Sequence, residues 1–127
     1  MQKIDDRGKL VEDLLKMIKD VKIVVQDGEI QANKDILIAR SDYFATMLSK
    51  ENFVEGKENC VDMRECNVNK KVMEKIVHFF YSGEMKLHDL SLMDLLKLIH
   101  ISNMMLLPDI HDRVETFTRV LLRENKN

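Results

Sequence analysis

The side chains that could do chemistry are few in this sequence and poorly spaced for it. His78, His88, His100 and His111 lie far apart, and none forms the HExxH or His-x-x-x-His pair with which one helix face holds zinc. Cys60 and Cys66 have five residues between them, against the two to four usual in zinc knuckles. A Cys–His nucleophile pair assembled in space is the remaining catalytic option. Against it stands the packed thiol, since cysteine most often behaves as a small hydrophobe. Gly8, Gly28, Gly56 and Gly83 are isolated, so there is no glycine-rich loop to cradle a phosphate. The acidic pair Asp5-Asp6 reads as solvated surface. The expectation is a protein that is not an enzyme, with no cofactor and no metal.

Two charged residues say more. Asp20 and Lys34 lie fourteen residues apart. Between them Val21, Ile23 and Val25 alternate with Lys22 and Val24, Asp27-Gly28 signals a tight turn, and Ile30 and Ala32 alternate with Gln31 and Asn33. A hairpin of this kind brings its two ends together, so the Asp20 and Lys34 side chains can meet. An exposed pair of this sort contributes little. If a seam between chains buried it, removing one partner would cost about 3–5 kcal/mol.

The elements that must position such residues follow from periodicity. Residues 6–19 form an amphipathic helix with Leu10, Val11, Leu14, Leu15 and Ile18 on one side. After the hairpin, Ile36, Leu37, Ala39 and Arg40 read as helix, and Ser41 caps a second turn running into Tyr43, Phe44, Met47 and Leu48. Residues 50–59 read as a loop pinned by Phe53. Cys60 to Met63 is a third strand returning to the hairpin, with Val61 and Met63 on one face. Asn67 or Asn69 caps the next helix, whose stripe is Val72, Met73, Ile76, Val77 and Phe80 and whose end is marked by Gly83. A connector at 84–89 holds a possible small strand at Met85 to Leu87. The helix at 91–104 shows Leu92, Leu95, Leu96 and Ile99 on one face, widened by Leu98, Ile101 and Met105, which predicts burial on more than one side. Pro108 starts the last helix, along which Ile110, Val114, Phe117 and Leu121 recur. The polar tail at 123–127 frays.

This order gives an α+β fold, a helical cluster capped by a small three-stranded sheet. Its 127 residues suit one domain over 1–127, with a leading helix at 6–19 and a core at 20–122. Twenty basic and 22 acidic residues leave a net charge of -2, which gives no reason to expect direct nucleic-acid or membrane binding. No apolar run approaches the roughly 20 residues needed to span a bilayer. Two cysteines and an N-terminus without an apolar signal stretch suggest an intracellular protein, cytoplasmic or nuclear. The nine methionines serve either as core filler or as an adaptable contact surface.

Asp20-Val21, Gly28, Ala32-Asn33-Lys34, Leu37, Ala39-Arg40-Ser41, Tyr43-Phe44 and the later Phe79-Phe80-Tyr81-Ser82-Gly83 together resemble the signature of the BTB (POZ) domain. The resemblance covers nearly the whole chain. It implies an interaction module that homodimerises, with Leu10, Val11, Leu14, Leu15, Ile18 and Val21 at the dimer interface. It also implies that Asp20 and Lys34 belong to a charged pocket near the dimer seam, with Asn33 where the family usually has His. Dimeric relatives serve as substrate adaptors for cullin-type E3 ubiquitin ligases, and others are transcriptional regulators that bind corepressor peptides in a groove at the seam. The possible cullin contact is Ser91, Leu92, Met93 and Asp94. Leu92-Met93-Asp94 fits the pattern of a hydrophobic residue two places before an acid. Aligning Leu95-Leu96 with the family's Leu-Leu puts Ser91 and Met93 there instead. Leu98 and Ile99, where the family often has Ala, and Ser102, near which it has an aromatic, depart from the pattern. The local alternative is a core leucine and a first-turn acid.

Overall fold

The computed structural model describes residues 18–49 and 59–125. Most of the expected leading helix, including Leu10, Val11, Leu14 and Leu15, lies outside them, as does Phe53 with the expected loop. Ile18 and Lys19, the described end of that leading segment, are not helical.

Alternation in the first strands is resolved as a three-stranded sheet in the order β2-β1-β3. β1 (Val21–Val25) pairs antiparallel with β2 (Gly28–Ala32), Val21 opposite Ala32 and Ile23 opposite Ile30. Val21, Ile23, Val25, Ile30 and Ala32 are all buried, so one side of the sheet is core. The register puts Gln26 and Asp27 in the two-residue turn. Gly28, expected within that turn, instead opens β2 at φ 156°, which a side chain rarely adopts. β3 (Cys60–Asp62) pairs with β1 in parallel, Ile23 beside Val61, on the edge that β2 leaves open. It returns to the sheet as expected but stops at Asp62. Met63 then leads into a 3-10 turn at Arg64–Cys66.

Capping side chains set the helix boundaries. α1 (Lys34–Arg40) starts at Asn33, whose Oδ1 accepts from the Ile36 N–H. Ser41 serves twice. Its backbone N–H donates to Leu37 O at the end of α1, and its hydroxyl accepts from the Phe44 N–H at the start of α2 (Asp42–Met47). Asn69, not Asn67, caps α3 (Lys70–Ser82), accepting from the Val72 N–H at 2.9 Å, while Asn67 ends the 3-10 turn in a left-handed conformation. Gly83, also left-handed, closes α3. Ser91 caps α4 (Leu92–Met104), and Pro108 begins α5 (Pro108–Asn125). No strand forms at Met85 to Leu87. The alternation there reflects packing without pairing: both side chains are half-buried against the core, and the connector has no ladder partner.

The core unites the inner sheet face with Leu37, Phe44, Met73, Ile76, Leu95, Leu98, Ile101, Ile110 and Val114. α4 and α5 turn back on each other through Leu106. The Leu107 N–H donates to Ser102 O and the Leu106 N–H to Asn103 O, a Schellman arrangement with leucine at its left-handed position, φ 57°. Glycine occupies that position without the steric penalty, and the Leu106 side chain is 80 % exposed, so truncating it removes little packing. Leu106→Gly is therefore expected to stabilise the fold by about 1 kcal/mol in urea unfolding. Among the described residues, no helix is long and apolar enough to cross a membrane.

Candidate interaction surface

The charged residues at the hairpin ends hold backbone. The Asp20 carboxylate accepts from the backbone N–H of Lys34 at 2.8 Å and makes no ion pair with its ammonium. It thus satisfies the first orphan amide of α1, which a carboxylate at a helix N-terminus does well. Asp27 does the same for α3, accepting from the Lys70 N–H at 2.7 Å, and so ties the hairpin turn to that helix. The Tyr81 phenol accepts from the Asn33 N–H at 2.8 Å, linking the end of α3 to the end of β2. Burial pushes that phenol's pKa up, the Asn33 bond opposes the shift, and nearby Asp20 adds to it.

The dimer residues read from sequence divide in three. Leu10, Val11, Leu14 and Leu15 lie outside the described residues. Ile18 is 70 % exposed, and its carbonyl accepts from Asn33 Nδ2. Val21 is 2 % exposed, on the same sheet face as Ile23 and Val25, so its side chain packs within its own chain.

At the start of α4 two of the four expected contact residues are used internally. The Ser91 hydroxyl accepts from the Asp94 N–H, and Asp94 Oδ1 accepts from Asn69 Nδ2 at 3.1 Å, joining the N-termini of α4 and α3. Leu92 and Met93, by contrast, face solvent, Met93 at 62 % exposure. The leucine stripe needs correction as well. Leu95, Leu98, Ile101 and Met105 are buried, whereas Leu92 and Leu96 are exposed and Ile99 lies at the edge. At about 3.6 residues per turn, Leu92, Met93, Leu96, His100 and Met104 share the outer face. α4 thus carries leucines and methionines on both sides, with His100 and Asn103 among those outside, but is buried on one side only.

The outer face continues past Met104 to Leu106. Beside it Asp42, Tyr43, Thr46, Met47, Met104, Met105 and Leu106 line an open groove of ≈ 250 Å³. Sequence reading missed this groove, because Tyr43 and Met47 lie some sixty residues from Leu106 in the chain. The one available signal was the number of methionines, which suit adaptable contacts.

Cys60 and Cys66 are free thiols. The Tyr43 pKa is pushed up to about 12, chiefly by burial and then by the nearby Cys66 thiol. The folded value exceeds the unfolded one, so the stabilising effect is complete below about pH 10. It is lost as pH rises through about 12. A titration of phenolate absorbance should show a high-pH phase that Tyr43→Phe removes, together with a flatter loss of stability over that window.

Residues 12–120 match the family model of the BTB/POZ domain, and the chain belongs to that family of protein–protein interaction modules. In fold it is similar to the BTB (Tramtrack and Bric a brac) domain of human gigaxonin, at 20% identity and TM-score 0.64, over 92% of this chain and 94% of that one. It is likewise similar to the BTB domain of zebrafish PATZ1, at 17% identity and TM-score 0.66, over 94% and 97%. No curated protein matches it in sequence.

Proposed function

We propose that this BTB domain homodimerises and serves as the substrate-adaptor platform of a cullin-type E3 ubiquitin ligase, docking its partner on the outer face of α4. One observation carries the docking reading: Leu92, Met93, Leu96, Met104 and Leu106 are all exposed on or just beyond one helix. Exposed leucines and methionines grouped on one helix face are the kind of apolar surface that serves as an interaction site. Leu92 and Met93 would make the contact at the helix start, while Ser91 and Asp94 hold the helix in place.

Dimerisation is supported by the apolar stripe of residues 6–19 and by the exposure of Ile18 and of Ile38 on α1. Light scattering on the eluting protein should report about twice the 14.9 kDa chain mass. Leu14→Asp, which sets a carboxylate into that apolar contact, should return it to a monomer. A second reading, a groove at the seam that takes a corepressor peptide, is favoured by Lys34, whose ammonium has no carboxylate partner among the described residues. The N-terminal region of the cullin, titrated against the dimer, separates the two: submicromolar binding supports the adaptor, and its absence leaves the groove.

A further inference from the structure

α5 carries a cluster that the interaction surface does not use. His111, Asp112 and Glu115 each offer a ligand atom, and these atoms lie within 4.8 Å of one another. His111 Nδ1 is 3.6 Å from Asp112 Oδ1, and the imidazole is mostly covered, at 26 % exposure. It lines an open groove of ≈ 380 Å³ with Ser102, Asn103, Leu106, Leu107, Pro108 and Asp112, so packing against the α4–α5 turn limits its motion. We propose that His111, Asp112 and Glu115 form a binding site for a divalent transition metal ion.

The spacing suits this chemistry. Residues four apart on a helix lie one above the other, so His111 and Glu115 form a clip, and Asp112 closes it from the side. Metal–ligand bonds of about 2.0–2.2 Å require donors some 3.4 Å apart in a tetrahedron, which small side-chain rotations reach from the present separations. One imidazole with two carboxylates selects zinc, cobalt, nickel or copper over magnesium and calcium, which prefer all-oxygen ligands. Arg119 Nη2 holds Glu115 Oε2 at 3.1 Å and leaves the other carboxylate oxygen for the metal.

Cobalt(II) chloride titrated into the intact protein, followed by calorimetry and visible absorption, tests the site. The expected result is saturable one-to-one binding with the weak bands of nitrogen and oxygen ligands and no sulfur charge-transfer band. His111→Ala and Glu115→Gln should each weaken binding more than about tenfold, and Cys60→Ser with Cys66→Ser should leave it unchanged. All four positions are at least partly exposed, so circular dichroism should show the variants folded. Absence of saturable binding, undiminished binding in His111→Ala, or a thiolate spectrum would each overturn the proposal.

Discussion

Replacing Phe44 with alanine is expected to cost about 3–5 kcal/mol of folding stability, the largest effect of any single truncation considered for this domain. Phe44 is fully buried. Its ring meets Phe80 of α3 edge-on at 6.3 Å and Tyr43 at 5.6 Å. Such pairs add about 0.5–1.5 kcal/mol beyond the area they bury. The short α2 has little else to fix it: six residues are too few to hold a helix without packing. The Ser41 cap bonds the backbone amide of residue 44, which alanine keeps, so the loss comes from packing. Domains of this size are stable by about 5–15 kcal/mol, so the loss takes a large share of the total. Urea unfolding should show a much lower midpoint with an unchanged slope, and Phe44→Leu should recover part of the loss.

The second large effect distinguishes the two sides of α4. Leu98→Ala should destabilise by about 2–5 kcal/mol, whereas Leu96→Ala should cost less than about 1 kcal/mol. The two residues are chemically identical and two positions apart. Leu98 is wholly enclosed in the core, and Leu96 is 47 % exposed. Equal losses in the two variants would mean that the outer face is packed within the chain and offers no surface to a partner. Paired unfolding curves settle the comparison in one experiment.

The same helix shows where sequence reading lost resolution. Strands and amphipathic helices declare their inner faces because polar residues mark the outer ones, so the hairpin, α3 and α5 were legible from Val21, Val72 and Ile110 onward. The polar residues of α4 lie on both sides, Ser102 in the core and His100 outside, and periodicity alone placed Leu92 and Leu96 inside. Caps were legible where a side-chain acceptor stands beside its own helix, as at Ser41, or where a glycine takes the left-handed end position, as at Gly83. Asp20 and Asp27 act on helices that begin after the hairpin has folded back, so their backbone partners are set by tertiary structure. Leu106 occupies a left-handed position usually marked by glycine, and nothing in its residue type announces a turn. The parallel pairing of β3 depends on which sheet edge is open, a property of the assembled hairpin.

For the candidate site, chemistry-bearing residues were a poor guide because the surface has no catalytic geometry. Ser91 and Asp94 were conspicuous as polar residues, yet they position α4. The groove beside Met104 and Leu106 depends on α2 packing next to the α4–α5 turn. The family resemblance supplied the expectation of an interaction surface, and the exposed methionines and leucines of α4 are the surface proposed for it.

The most direct measurement is calorimetric titration of the cullin's N-terminal region into the wild-type domain and into the double variant Met93→Asp, Leu96→Asp. Both substitutions lie on the outer face, so the variant should keep its unfolding midpoint and its dimeric mass. The account predicts submicromolar binding by the wild type and a loss of more than about tenfold in the variant, since each introduced carboxylate would be buried unpaired in the contact. Equal binding by both proteins, or no binding by the wild type, would contradict it.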